Sequence, residues 1–247
     1  MSSAEKVSLK EAKLFDIRRS VNFHLRAIFI SVPKSGSSSI GYHFRELNPR
    51  SNLMVKDSHF TITQVRDLLY FYYLLNRKRN NLFPTDAKKV LSDAELHAQA
   101  TETFKQFFKF ASVRNPWQRV VSLYDRIEGR WGKDNRKKYI SFDQFCEQLR
   151  FASDTCEHPT RCANQLDWMI DETGALAVDY VLRLEKFEEG LQEIKERTNG
   201  RLDLKPDHRN MNPQSRSASY RNLYTEKTKN HVAELFKRDI EFFGYDF

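Results

Sequence analysis

The segment Val-Pro-Lys-Ser-Gly-Ser-Ser-Ser-Ile at residues 32–40 decides the fold that this sequence predicts. An apolar run at residues 27–32 is typical of a buried strand, and apolar residues at helical spacing follow the turn over residues 38–47. A small-residue turn between a strand and a helix points several backbone N–H groups at one place, where the helix N-terminus adds about half a positive charge. Gly36 allows a close backbone approach, and Lys34 adds a full charge. The segment therefore predicts a site for a phosphate group.

A second strand-to-helix turn follows the apolar run at residues 107–113. Arg114 stands where this strand is predicted to end, and Asn115-Pro116 is typical of an N-cap followed by the first residue of a helix. The planar guanidinium of Arg114 suits a phosphate, and Ser122 lies two turns into the same helix. Ligands of parallel sheets bind beyond the carboxyl ends of the strands. Two such turns at one edge predict a ligand with two separated anionic groups.

Neither turn has the pattern of a nucleoside-triphosphate hydrolase. The Walker A loop places its lysine after the second glycine, at the start of the helix, whereas Lys34 precedes Gly36. No predicted strand ends in an aspartate that would hold Mg²⁺, so metal-assisted hydrolysis is disfavoured. Cys156, His158 and Cys162 lack a fourth ligand and fit no zinc spacing, and we therefore expect no metal site.

Outward from the two turns, apolar strands and amphipathic helices alternate along the chain. The predicted strands are residues 27–32, 53–55, 107–113 and 177–184, and the predicted helices are residues 38–47, 61–76, 92–105, 116–128, 141–152, 185–197 and 225–243. The predicted loops include residues 77–81, 129–140 and 199–222. The alternation predicts an α/β fold with a mainly parallel sheet flanked by helices. No change of composition divides the chain, so we expect one domain over residues 25–247 and a peripheral N-terminal segment over residues 1–24.

Composition limits the classes of protein to which this chain can belong. It has 247 residues, of which 40% are hydrophobic, so it can bury a core and is not a disordered chain. A formal net charge of +8 favours an anionic partner, namely a nucleic acid, an acidic glycan, a membrane surface or a phosphorylated cofactor. Three cysteines, no signal-peptide pattern and no apolar run longer than residues 68–75 predict a soluble cytoplasmic protein without a membrane span.

The two turns together resemble the nucleotide-binding motifs of sulfotransferases, which use 3′-phosphoadenosine-5′-phosphosulfate (PAPS). Residues 32–39 resemble their 5′-phosphosulfate loop, and Val-Arg-Asn-Pro-Trp-Gln-Arg-Val-Val-Ser-Leu-Tyr at residues 113–124 resembles their 3′-phosphate motif. Residues 163–168, 178–185 and 239–245 resemble later blocks of the branch that includes the carbohydrate sulfotransferases. The resemblance spans about residues 26–247 and implies a P-loop-like nucleotide-binding sulfotransferase fold. The sequence shows no pattern of the N-terminal membrane anchor of eukaryotic Golgi members, so their location is not expected here.

The resemblance implies a role for each residue of the two turns. Lys34 is expected to stabilise the bridging oxygen that leaves with the nucleotide, since sulfuryl transfer, like phosphoryl transfer, builds charge there. Arg114 and Ser122 are expected to bind the 3′-phosphate. Tyr220 and Arg221 fall in a segment that resembles the late nucleotide-contacting loop of the family, with a solvated loop as the alternative. The residues expected to bind the 5′-phosphate are Lys34, Ser35, Gly36, Ser37, Ser38 and Ser39.

An acceptor hydroxyl needs a general base within hydrogen-bond reach. His59 is the first candidate, because it follows a predicted strand and precedes a capped helix; His208 and His43 are the alternatives. A carbohydrate hydroxyl is the leading acceptor, and a small metabolite such as a phenol, an alkaloid, a polyol or an amine is the alternative. A small-molecule kinase, which needs Mg²⁺, and a basic nucleic-acid-binding protein are more distant alternatives, and the sequence has no base-recognition motif. The oligomeric state is left open.

Overall fold

The computed structural model describes residues 17–47, 59–81, 92–131, 141–151, 161–205 and 216–247. Its strands are β1 (Val21–Asn22), β2 (Ala27–Ile30), β3 (Phe108–Val113), β4 (Arg150–Phe151), β5 (Arg161–Cys162) and β6 (Tyr180–Arg183). Its α-helices are α1 (Ser37–Glu46), α2 (Ile62–Asn81), α3 (Asp93–Gln106), α4 (Pro116–Trp131), α5 (Phe142–Gln148), α6 (Phe187–Arg197), α7 (Glu226–Leu235) and α8 (Lys237–Phe243). Short 3₁₀ helices cover Ile17–Arg19, Gln165–Trp168, Leu184–Lys186 and Arg216–Leu223.

The centre of the fold, within these ranges, is a four-stranded sheet in the order β1–β2–β3–β6. Strands β2, β3 and β6 run parallel, with Ile30 beside Ala111 and Ala111 beside Val181, while β1 pairs antiparallel with β2. The predicted α/β fold with a mainly parallel sheet is therefore confirmed. Because parallel strands end on the same side, the carboxyl ends of β2, β3 and β6 lie at one edge of the sheet.

Helices cover both faces of this sheet, and the alternation of side chains along β2 shows how. Phe29 faces α1, where its ring centroid lies 6.0 Å from that of Phe44. Ile28 faces the other way and packs in the cluster that contains Val65 of α2. Burial on both faces accounts for the continuous apolar pattern of β2, since a strand with one solvated face would alternate apolar and polar residues.

The residues just before β2 belong to the domain. Val21 and Asn22 are 0% exposed and form β1 against β2. The Asn22 amide donates to the Phe44 carbonyl at 2.9 Å and accepts from the Leu25 N–H at 2.9 Å. These bonds satisfy a buried polar side chain and fix the segment against α1. Residues 17–24, the end of the segment predicted to be peripheral, thus pack against the sheet and α1.

The helix α2 is longer than the sequence predicts. It continues to Asn81, so the loop predicted at residues 77–81 is wrong. Arginine and lysine are good helix formers, and a charged run does not by itself end a helix. In the part of the chain that the structure describes, no helix has the length and apolar character needed to cross a membrane.

The helix α5 is shorter than the sequence predicts. It ends at Gln148 and β4 follows at Arg150, whereas the predicted helix extends to residue 152. Buried apolar side chains hold this helix, and their helical spacing stops at the C-cap. These residues are Phe142, Phe145, Cys146 and Leu149.

The C-terminal helix predicted over residues 225–243 is two helices. α7 ends at Leu235 and α8 begins at Lys237, with Phe236 between them at φ −111° and ψ 25°. Phe236 is 1% exposed, so the buried apolar positions continue from α7 into α8. Hydrophobic periodicity alone therefore does not reveal the break between the two helices. The 3₁₀ helix Arg216–Leu223 covers the end of the loop predicted over residues 199–222 and extends one residue beyond it, while residues 206–215 of that loop lie outside the described residues. The predicted strand at residues 53–55 lies outside the described residues.

Candidate active site

The first predicted turn lies at the carboxyl end of β2. The chain leaves β2 at Ile30, turns over residues 33–36 and enters α1 at Ser37. Lys34 has φ 68° and Gly36 has φ 80°, both in the left-handed region. For a lysine this conformation costs about 1–2 kcal/mol, and residues held in it cluster at ligand sites. The backbone of Lys34 therefore marks this turn as a candidate binding loop.

Gly36 is favoured by its packing as well as by its backbone angle. A Cβ at this position would lie 2.5 Å from Leu184 Cδ1, well inside van der Waals contact. Leu184 directly follows β6, so the end of β6 supports the turn from behind. The structure shows that Gly36 allows close packing against Leu184, and its role in the approach of a ligand stays a prediction.

Ser35 faces the interior of the protein. Its hydroxyl donates to the Val32 carbonyl at 2.8 Å and lies 3.0 Å from the Ser112 hydroxyl of β3. Ser35 and Ser112 are both 0% exposed. This geometry favours a structural role for the Ser35 hydroxyl over its predicted contact with a phosphate. The hydroxyl bonds the first turn directly to the neighbouring strand, β3.

The other three serines form the first turn of α1. The Gly36 carbonyl accepts the Ser39 N–H at 3.1 Å at the start of the helix. Ser37 is buried, Ser39 is half-buried and Ser38 is exposed. The first N–H groups of a helix have no partner within the helix, and together with the dipole they attract anions. The predicted arrangement of strand, turn and helix is confirmed.

The second turn places Arg114 at the carboxyl end of β3. Its N–H donates to Gln165 Oε1 at 2.9 Å, and its carbonyl accepts from Gln165 Nε2 at 2.7 Å. Its side chain donates weakly from Nε to Gln118 Oε1 at 3.4 Å and forms no ion pair within the described residues. Burial lowers the pKa of the guanidinium, and the carboxylates of Glu185 and Asp125 partly offset this effect. Since arginine keeps its charge in proteins, this desolvated cation is suited to an anionic ligand.

Asn115 fixes the start of α4, as predicted for an N-cap. Its Oδ1 accepts the Trp117 N–H at 3.1 Å. Its own N–H donates to Glu185 Oε1 at 2.6 Å, and its side chain donates to the Asp246 carbonyl at 2.8 Å. Ser122 lies two turns further along α4 and is half-buried. The loop that carries Arg114 is thus held from both sides.

Arg119 is a residue of this region that the sequence analysis missed. It is 1% exposed, and it donates from Nε to the Pro33 carbonyl at 3.0 Å and from Nη1 to the Ala163 carbonyl at 2.9 Å. It therefore joins α4 to the first turn. The signal in the sequence is an arginine directly before Val120 in an amphipathic helix. Both residues are buried, and a buried charge needs hydrogen-bond partners within the protein.

His59 lies beside the end of β2. Its Nδ1 is 2.6 Å from the Ser31 carbonyl oxygen and 3.3 Å from the Ser31 hydroxyl. A carbonyl oxygen only accepts, so Nδ1 carries the proton and the lone pair of the neutral ring is on Nε2. Of the alternatives, His43 lies on the last turn of α1, about 9 Å along the helix from Ser37. His208 lies outside the described residues.

Tyr220 and Arg221 lie in the 3₁₀ helix Arg216–Leu223, which packs beside α4. Tyr220 is 5% exposed, and its ring meets that of Phe247 edge to face, with centroids 5.5 Å apart. Arg221 is exposed, and it donates to the main-chain oxygen of Phe247 at 2.9 Å. The geometry favours a packing role for Tyr220 over the predicted nucleotide contact, whereas Arg221 is exposed and its nucleotide contact stays a prediction.

The fold and these turns define an α/β domain with a cationic site at the carboxyl edge of a parallel sheet. A model of the Sulfotransferase family matches residues 21–246. The match covers nearly the whole chain, so the protein belongs to the sulfotransferase family and is a transferase enzyme. No curated protein and no solved structure matches the chain significantly. Among the described residues, no group of three or more His, Cys, Asp or Glu side chains is arranged to hold a metal ion.

Proposed function

We propose that this sulfotransferase transfers a sulfuryl group from PAPS to an acceptor hydroxyl, with the two ends of the nucleotide bound at the two turns. Membership of the family supports the donor. The observation that carries the proposal is that the two turns share one edge of the sheet, and that the first turn is bonded to the strand and the helix that flank the second. The hydroxyls of Ser35 and Ser112 lie 3.0 Å apart, and Arg119 Nε donates to the Pro33 carbonyl at 3.0 Å. A nucleoside with a phosphate at each end suits such a pair of sites.

The 5′-phosphate is proposed to bind at the first turn. The N–H groups at the start of α1 supply hydrogen-bond donors, and the helix dipole adds to their attraction for an anion. The hydroxyls of Ser37, Ser38 and Ser39 lie around the same helix start. Gly36 presents no side chain there, and Lys34 supplies the full positive charge.

The 3′-phosphate is proposed to bind Arg114 and Ser122. Burial of the Arg114 guanidinium strengthens a hydrogen bond to phosphate, and such bonds to charged groups contribute roughly 1.5–3 kcal/mol. Ser122 adds a hydroxyl donor from the same helix. Arg221 stays a predicted contact of the nucleotide, and Tyr220 is proposed to support that contact by packing.

When bound, PAPS supplies an activated sulfuryl group on a phosphate leaving group. Lys34 and the N-terminus of α1 are proposed to stabilise the negative charge that grows on the leaving oxygen. The left-handed backbone of Lys34 fixes the direction in which its side chain leaves the turn. A cation that is positioned before the reaction adds no cost of reorganisation during it.

His59 is proposed to act as the general base. Its Nδ1–H is held by the Ser31 carbonyl at 2.6 Å, so Nε2 is the atom that takes the proton of the acceptor hydroxyl. The same carbonyl stabilises the imidazolium that results, because the donated bond becomes charge-assisted. The bond to Ser31 also places the ring at the end of β2, the strand that leads into the Lys34 turn.

The acceptor is proposed to be a carbohydrate hydroxyl. The resemblance of residues 163–168 and 178–185 to the carbohydrate branch supports this class, and a net charge of +8 favours an acidic acceptor. A small metabolite is the alternative. Transfer assays at saturating PAPS with acidic glycans, neutral glycans and phenols separate the two, since salt is expected to raise the KM of an acidic glycan more than the KM of a phenol. The cytoplasmic location stays a prediction from the sequence.

Thermal unfolding with 3′-phosphoadenosine-5′-phosphate (PAP) tests the donor assignment. Ligand at about 100 times its Kd adds about 2.7 kcal/mol of stability, which raises the Tm of a domain of this size by roughly 5–10 °C. We expect this shift with PAP and a smaller one with 5′-AMP. No shift with PAP, or a larger one with ADP and Mg²⁺, would contradict the proposal and favour a kinase.

A further inference from the structure

We propose that Gln165 is a positioning residue that holds Arg114 in place for the 3′-phosphate of the nucleotide, and that Asp239 holds Gln165. The inference rests on the proposed function, because it concerns the site at which that nucleotide binds. Both residues act through Arg114, so their effect is expected on the recognition of one phosphate and not on nucleotide binding in general.

The side-chain amide of Gln165 pairs with both main-chain groups of Arg114. Its Oε1 accepts the Arg114 N–H at 2.9 Å, and its Nε2 donates to the Arg114 carbonyl at 2.7 Å. An antiparallel strand makes the same two hydrogen bonds to the main chain of one residue on its neighbour. The Gln165 amide therefore continues the hydrogen-bond pattern of the sheet past Val113, the last residue of β3. Gln165 is 0% exposed, and water does not compete for these bonds. The backbone of Arg114 is therefore fixed where its side chain leaves the sheet.

Asp239 on α8 holds Gln165 in turn. Its Oδ2 accepts the Gln165 N–H at 2.8 Å, and its Oδ1 accepts the Leu166 N–H at 3.0 Å. Its own N–H donates to Asn164 Oδ1 at 3.3 Å. The carboxylate thus caps the start of the 3₁₀ helix Gln165–Trp168, whose first N–H groups have no partner within that helix. A buried carboxylate needs such donors, so the contact specifies where α8 and Gln165 sit relative to each other.

Residues 163–166 are also linked to the first turn, through Arg119. The Ala163 carbonyl accepts from Arg119 Nη1 at 2.9 Å, and Arg119 Nε donates to the Pro33 carbonyl at 3.0 Å. The segment is therefore joined to one turn through Arg119 and to the other through Gln165. Since a nucleotide holds its two phosphates at a limited range of distances, this segment sets the separation that the two turns offer. It is expected to govern the preference for a 3′-phosphorylated nucleotide.

Calorimetric titration of the full chain with PAP and with 5′-AMP tests the proposal. Gln165→Met keeps the length of the side chain and removes both bonds to Arg114. Asp239→Asn leaves Gln165 unchanged and removes the charged acceptor behind it. In both variants we expect the preference for PAP over 5′-AMP to fall about tenfold, because a misplaced charge-assisted hydrogen bond loses at least that much. The Kd of 5′-AMP is expected to change by less than about twofold, since Arg114 does not contact the 5′-phosphate.

Thr198→Val is the matched control variant. Thr198 is also buried and also binds the main chain, with its hydroxyl donating to the Ile194 carbonyl at 2.7 Å and accepting from the Leu202 N–H at 3.1 Å. It caps the end of α6, about 16 Å along that helix from the edge that carries the two turns. We expect this variant to lower the Tm while the preference for PAP is unchanged.

Each outcome decides a separate question. An unchanged preference in Gln165→Met and Asp239→Asn, or an equal loss in Thr198→Val, overturns the positioning role. If Gln165→Met does not fold, Asp239→Asn alone decides, with circular dichroism as the check on its structure. A wild-type protein that binds PAP no more tightly than 5′-AMP overturns instead the 3′-phosphate assignment of the proposed function.

Discussion

Replacement of Gly36 by alanine tests how the first turn is supported. The new Cβ would lie 2.5 Å from Leu184 Cδ1, and the residue would have to hold φ 80°. The left-handed conformation costs an alanine about 1–2 kcal/mol, and overpacking against the tip of the half-buried Leu184 side chain costs about 1 kcal/mol, the low end of its range. We therefore expect Gly36→Ala to lower the free energy of unfolding by about 2–3 kcal/mol, a large part of the 5–15 kcal/mol typical of a domain.

Gly174→Ala separates the two contributions. Gly174 has φ 82°, but a Cβ there would meet nothing within 4 Å. This variant is expected to lose only the conformational part, about 1–2 kcal/mol. Truncation of Leu184 to alanine removes the clash, so the double variant Gly36→Ala/Leu184→Ala is expected to show a coupling of about 1 kcal/mol relative to the two single variants.

Urea unfolding followed by circular dichroism measures these free energies, and equal m-values confirm that the variants unfold in the same way. Equal losses in Gly36→Ala and Gly174→Ala would show that Leu184 does not limit the turn. A coupling of zero in the double variant would refute the same reasoning independently.

Four further predictions concern the site and the core. Lys34→Ala and Lys34→Gly are both expected to lower kcat by about 10²–10³-fold, and a wild-type kcat in either variant contradicts the role of Lys34. Lys34→Gly is also expected to raise the free energy of unfolding by about 1 kcal/mol above that of the wild type, because glycine accepts φ 68° without strain. Arg114→Ala is expected to weaken PAP about 10–100-fold and 5′-AMP hardly at all in calorimetric titrations, whereas equal weakening argues against a 3′-phosphate contact. His59→Ala is expected to lower kcat by about 10²–10⁴-fold, and an unchanged kcat assigns the base elsewhere. Burial raises the pKa of the Cys146 thiol to about 12, so its thiolate fraction at pH 8 is about 10⁻⁴. We expect mass spectrometry to find maleimide on Cys146 only after unfolding in urea. Labelling of Cys146 in the native protein would contradict its burial.

Local patterns predicted the elements that depend on local chemistry. The strand, turn and helix around Gly36 and the N-cap at Asn115 are confirmed, because apolar runs, a small-residue turn and a capping side chain act within a few residues. The break at Phe236 is different. Phe236 has φ −111° and ψ 25°, so the helix is interrupted there. Its ring nevertheless packs in the same core cluster as Val232, and the apolar spacing therefore continues through the interruption.

By itself, the sequence determined that two strands lead into helices through turns that carry Lys34 and Arg114. The order of a strand and a helix depends on the spacing of apolar residues within a short segment, and the charge depends on the residue itself. Only the tertiary structure decided which groups hold these turns. Ser35 bonds inward to Ser112, and Arg119 and Gln165 connect segments that are far apart in the chain. Such bonds depend on the register of the strands and on the packing of α8 against the sheet edge, and no local pattern specifies either of them.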